Sequence, residues 1–148
     1  MSTTPTEPSP FDDEPDAQWL VVRSGGDILG IPIAQVREVV RPVGLRPVPG
    51  APSIQAGIVN VRGAIVTVLD LQALRTGVRA VTPGSIVLLS YGTRMLGLAV
   101  DAVHDVRVMD DEAKAPGAGA ALDLPDVMPL DAVALCARHM HSVEERER

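Results

Sequence analysis

From Gln18 onward the chain runs in short apolar stretches broken by turn residues, the rhythm of a protein built from antiparallel strands. "QWLVVRS" (18–24), the turn residues Gly25, Gly26 and Asp27, and "ILGIPI" (28–33) predict a hairpin. "AQVREVV" (34–40) is too short to specify a helix. The four prolines of "RPVGLRPVPGAPS" (41–53) predict an extended or turning path with few ladder donors. "GIVNV" (57–61) and "AIVTVLDL" (64–71) read as strands on either side of Arg62 and Gly63. Asp70 is placed to cap a short helix, "LQALRT", that Gly77 stops. A second unit opens with "SIVLLS" (85–90), turns at Tyr91, Gly92 and Thr93, and returns through "RMLGLAVDAVHDVRVM". At the end, Val133, Cys136, Met140 and Val143 recur at helical spacing behind Asp131, which predicts a terminal helix over 131–146.

Laid without a gap, residues 18–40 fall on residues 85–107. Leu29 meets Leu96, Gly30 meets Gly97, Ile33 meets Val100, Val36 meets Val103, Glu38 meets Asp105 and Val39 meets Val106. A shared turn glycine and a shared acidic position lift this match above composition, and it reads as a duplicated β unit. Two such units, each of about five short strands, predict an all-β protein of two small barrels, an arrangement that leaves few open sheet edges. The C-terminal helix packs on them.

Composition adds limits. Only Phe11, Trp19 and Tyr91 are aromatic, so the core must be packed from Val, Leu, Ile, Ala and Met. A net charge of -6, with no basic cluster outside the C-terminal tail, argues against nucleic acid and anionic membrane surfaces as partners. No apolar run is long enough to span a bilayer and no secretory leader is visible, which predicts a cytoplasmic protein. Residues 1–17, rich in Pro, Thr and acid, predict a disordered arm in which Phe11 is the one docking-type residue. Cys136 stands alone, which excludes an internal disulfide or a thiolate metal cluster and reads as a small hydrophobe on the helix.

Five blocks in order, "VREVV" (36–40), "PVPGAP" (47–52), "GIVNVRG" (57–63), "IVTVLDL" (65–71) and "LGLAVDAVHDV" (96–106), resemble the CheW-type chemotaxis coupling proteins. The resemblance covers 18–109 and extends more loosely to 135, within a CheW-like domain spanning 18–148. It implies two SH3-like five-stranded β-barrels with no catalysis and no cofactor. It also implies two partners, the cytoplasmic tip of chemoreceptors in an apolar groove between the lobes and the regulatory domain of the CheA-type histidine kinase docked barrel to barrel. The site would then be cytoplasmic, in receptor arrays at the inner membrane, without direct membrane contact. Carried over by position, Val36, Gly57, Val103 and Val106 line the groove, and Glu38, Asn60 and Arg62 form its polar rim. The chain departs from the family in having Val61 for Leu and Thr67 for Pro. After Asp110 it is shorter than the family by about one strand or hairpin, which predicts a shortened second barrel.

Arg62 interrupts an apolar run, and Gly63 beside it marks a tight turn that lifts the guanidinium off the sheet. A guanidinium is charged at every physiological pH and needs acceptors, for which Glu38 is the expected partner. Asn60 is divided between satisfying its turn and touching a partner. An enzyme reading would use Asp101, His104 and Asp105, but His104 and Asp105 point to opposite faces of a strand. His139 and His141, two apart on a helix, diverge and do not form a metal pair. A third reading keeps the fold and makes the chain a shortened competitor, or a coupler in a chemosensory pathway with another output.

Overall fold

The computed structural model describes residues 18–79, 83–108 and 127–146. β1 (Gln18–Ser24) and β2 (Asp27–Pro32) form the first hairpin, in register from Trp19↔Pro32 to Ser24↔Asp27. Its turn holds Gly25 at φ 61, a conformation that glycine enters without a steric penalty. A single 3-10 turn (Ile33–Gln35) follows, and then β3 (Val36–Val40). The ambiguous stretch 34–40 is thus half turn, half strand.

β3 does not return to its own hairpin. It pairs with β6 (Ser85–Tyr91), which makes the second hairpin with β7 (Arg94–Val100). β8 (Ala102–Val108), the strand after that hairpin, crosses back to pair with β1. Each hairpin is completed by a strand from the other unit. The displacement that lays Gln18 on Ser85 carries the pairs Val36↔Leu89, Glu38↔Leu88 and Val39↔Val87 onto Val103↔Val22, Asp105↔Val21 and Val106↔Leu20. Both ladders shift register at the same point, beside Arg37 in one and His104 in the other. The extra residue of a β-bulge bends both strands alike.

β4 (Gln55–Val61) and β5 (Ala64–Asp70) form a third hairpin, and β5 runs parallel to β7. The larger sheet therefore has the order β3-β6-β7-β5-β4. The other has the order β8-β1-β2-β9, in which β9 (Met128–Pro129) lies parallel to β2 as β5 lies parallel to β7. The protein is mostly β-sheet, in two sheets of five and four strands among the described residues. No described strand stands beyond β9 where β4 stands beyond β5. The predicted shortening after Asp110 falls in 109–126, outside the described residues.

Each of these last strands runs into a capped helix. The Asp70 carboxylate accepts from the Ala73 N–H at 2.9 Å at the start of α1 (Leu71–Thr76), and Gly77 ends it at φ 85. Asp131 accepts from the Ala134 N–H at 3.0 Å at the start of α2 (Ala132–Arg146).

One core lies between the sheets and is covered by both helices: Leu20, Val22, Leu29 and Ile31 from one hairpin, Val87, Leu89, Leu96 and Leu98 from the other, and Leu71, Leu135 and Met140 from the helices. A second lies on the other face of the larger sheet, with Val59, Val61, Val66, Val68, Ile86 and Leu88. In the smaller sheet Trp19, at the position equivalent to Ile86, lies across Gly30, where a β-carbon would come within 3.2 Å of the indole. The absence of a side chain at Gly30 makes room for the ring.

Gln55 breaks the apolar pattern. It is 3 % exposed, and among the described residues neither its amide nitrogen nor its amide oxygen has a hydrogen-bond partner. Leaving a buried amide unsatisfied costs about 1–3 kcal/mol. Gln55→Met, which keeps the length and drops the polarity, is expected to raise stability by about 1 kcal/mol in urea unfolding. A lower midpoint would mean that the amide is satisfied by an internal water.

Candidate functional site

Residues paired across an antiparallel ladder point to the same face. The partners of Val36, Val39, Val103 and Val106 are Leu89, Val87, Val22 and Leu20, all members of the core between the sheets. The four valines therefore stand on the inner faces of β3 and β8, the two strands that cross between units. Val36 and Val103 are partly buried and pack on that core. Val39 and Val106 remain 40 % and 48 % exposed. The core thus continues outward along each crossing strand into accessible apolar surface. Val39 was missed by the sequence reading although the gapless repeat aligns it with Val106.

Gly57 lies elsewhere. It is buried on β4, where the Arg46 backbone crosses it and the two backbones exchange hydrogen bonds, Arg46 N–H to Ile58 O at 2.9 Å and Ile58 N–H to Arg46 O at 2.8 Å. Its place is under a backbone crossing, with no side-chain face to offer.

The polar residues do meet. Arg62 and Gly63 both have positive φ, 50 and 90, the conformation of a two-residue type I′ hairpin turn. Asn60 holds this turn by accepting from the Gly63 N–H at 2.9 Å. The turn aims Arg62 at β3, where Nη2 donates to Glu38 Oε1 at 2.7 Å and Nη1 to Oε2 at 3.1 Å. β3 and β4 stand at opposite ends of the sheet order, so this forked pair spans the gap between edge strands that no ladder joins. Glu38 sits between Val36 and Val39, and the pair tethers the strand that carries them.

The pair is open to water, with Arg62 and Glu38 side chains 69 % and 36 % exposed. Ion pairs this exposed contribute little to stability. The hydrogen bond from Arg62, assisted by its charge, outweighs a slight loss of hydration and holds the Glu38 carboxyl below the usual carboxylate range. A carboxyl lowered on folding stabilises above its unfolded value, and that contribution disappears as pH falls through the lowered value. The Glu38 side-chain carboxyl resonance should therefore titrate at lower pH than an ordinary glutamate, and return to the ordinary range in Arg62→Ala. Identical titrations in both proteins would mean that the pair does not form in solution.

The residues of the enzyme reading serve otherwise. Asp101 accepts from the Gly25 N–H at 2.8 Å and donates its own N–H to the Arg23 carbonyl at 2.9 Å, so it ties the first hairpin turn to the start of β8. His104 and Asp105 are exposed on β8. Burial pushes the Cys136 thiol up to about 12, so it stays protonated and unreactive at neutral pH. Among the described residues no cluster of three His, Cys, Asp or Glu could hold a metal ion, and no helix is long and apolar enough to cross a membrane.

Known proteins share this architecture. Residues 18–128 match the CheW-like domain family. The chain is 30 % identical over 141 residues to the chemotaxis protein CheW of Rhizobium meliloti, covering 88 % of this chain and 90 % of that one. It is 28 % identical over 109 residues to the chemotaxis protein CheW of Klebsiella aerogenes, covering 72 % and 66 %. The crystal structure of the scaffolding protein TtCheW from Thermoanaerobacter tengcongensis superposes with a TM-score of 0.59 at 31 % identity, over 66 % of this chain and 68 % of that one. Interlocked hairpins, an apolar strip on the crossing strands and a match over three quarters of the length lead to one conclusion: this chain belongs to the CheW-like domain family.

Proposed function

We propose that this chain is a non-catalytic adaptor that couples the cytoplasmic tip of chemoreceptors to the regulatory domain of a CheA-type histidine kinase in chemotaxis. The observation that carries this reading is that Val36, Val39, Val103 and Val106 hold equivalent inner-face positions on the two crossing strands, with Val39 and Val106 exposed. A helical receptor tip is the occupant that fits an elongated strip, and the kinase domain docks against the barrel ends. The relatives' names, chemotaxis protein and scaffolding protein, support the same role. In this role the chain works in the cytoplasm, within receptor arrays.

Reconstitution with receptor and kinase is the test: the chain should raise receptor-dependent kinase activity. A competitor would lower it. Unchanged activity would remove both. Arg62→Ala is expected to keep nearly the wild-type melting curve, because its ion pair is exposed, while binding to receptor or kinase weakens. Unaltered affinity in a folded Arg62→Ala protein would leave Arg62 with its structural role alone.

A further inference from the structure

The β5–β7 ladder begins at Val68↔Gly97, and the ends of the two strands before that point separate. Between them, with Met140 of α2 on one side, is an open cleft of about 350 Å³. Ile65, Met95, Leu96 and Met140 supply its apolar lining, and Arg37 and Arg94 its rim. Ile65 is 64 % exposed, an uncommon state for a large aliphatic side chain. Arg94 lies over the Tyr91 ring at 5.5 Å. Arg37 sits at the β3 bulge, where its charge also acts on the neighbouring Glu38 carboxyl. In a chain of net charge -6, this is a cationic rim around an apolar floor.

Residues 1–17 lie outside the described part of the structure, and their sequence supplies the complement. "EPSPFDDEPD" (7–16) carries Glu7, Asp12, Asp13, Glu14 and Asp16, no Lys or Arg, and Phe11 among them. We propose that this acidic segment docks on its own domain, with the Phe11 ring against Ile65 and Met95 and the flanking carboxylates facing Arg37 and Arg94.

Reach permits it. Trp19 is the ladder partner of Pro32, about 5 Å away, and five residues later the chain is at Arg37, so the root of the arm is within about 24 Å of the rim. The eight steps from Trp19 back to Phe11 extend to about 27 Å. Affinity need not be high, because a short tether supplies an effective concentration of the order of mM. A segment too polar to fold alone gains here the apolar contact it lacks.

The test uses the full chain with labelled Ile and Met methyl groups. Phe11→Ala, and separately Asp12→Asn with Asp13→Asn and Glu14→Gln, should move the Ile65 and Met95 methyl resonances in the same direction. Raising salt from about 0.1 M to about 1 M, which shortens the screening length from about 10 Å to about 3 Å, should move them likewise. These substitutions lie outside the folded strands, so a Leu20 methyl serves as an unmoved reference for the core. Ile65 and Met95 resonances that ignore both sets of substitutions would overturn the proposal. A response that grows with chain concentration would also overturn it, by assigning the cleft to the arm of a second copy. The outcome is independent of kinase coupling.

Discussion

Gly57→Ala is expected to lower stability by about 2–5 kcal/mol. Two costs combine. Gly57 has φ 154, outside the ground that side-chain-bearing residues occupy readily, and strain of that kind costs about 1–3 kcal/mol. A β-carbon there would also run into the Arg46 carbonyl oxygen and stand 2.8 Å from its carbon, with Leu45 Cδ1 at 3.2 Å. Both neighbours are fixed, Arg46 by its two hydrogen bonds to Ile58 and Leu45 by packing on the core of the larger sheet. Gly50 is the control: it has φ 80 and open space around it, so Gly50→Ala carries backbone strain alone. Thermal unfolding of the two variants separates the effects, with Gly57→Ala falling by at least about 8 °C if about 4 °C accompanies each kcal/mol. Equal losses would mean that the Arg46 crossing yields easily, and that Gly57 is no packing constraint. Reduced partner binding by a Gly57 variant would in that light report a deformed sheet before it reported a lost contact.

The expectation that Gly57 lines a groove shows what a linear pattern can and cannot carry. Hairpins were legible because each is specified locally: alternating apolar residues around Gly25 and Gly92 make a turn and two strands with no help from the rest of the chain. The caps Asp70 and Asp131 were legible for the same reason. The ladder partners of the crossing strands were not. "AQVREVV" has apolar residues that fit either period, and only its ladder with β6, some fifty residues away in sequence, decides for strand. β9 is two residues long, too short for any period, and exists because β2 offers it an edge. At the candidate site, Glu38 was named as the acceptor for Arg62 and is that acceptor. That the pair bridges the two edge strands of the larger sheet depends on sheet order, which no local motif encodes.

Val106→Glu is expected to leave folding intact and to weaken receptor binding by about thirtyfold or more. At 48 % exposure the new carboxylate stays hydrated in the free protein, where surface substitutions change stability by about 0.5 kcal/mol or less. A partner seated on the valine strip would strip that water away, and burying an unpaired charge costs at least about 2 kcal/mol, which is about thirtyfold in affinity. Val39→Glu, on the equivalent strand of the other unit at 40 % exposure, should lose a similar factor if one occupant lies along both crossing strands. Val43→Glu provides the comparison, since Val43 is 78 % exposed on the segment after β3 and outside the four ladder positions. Titration of a receptor tip fragment against each folded variant gives the answer. A loss confined to Val106 would place the partner on β8 alone, and equal affinity for all three variants would remove the strip from the binding site. A loss at both Val39 and Val106 with none at Val43 requires an occupant that reads the two units together. The exchanged strands are what make such a reading possible, since each crossing strand carries one unit's valines onto the other unit's hairpin.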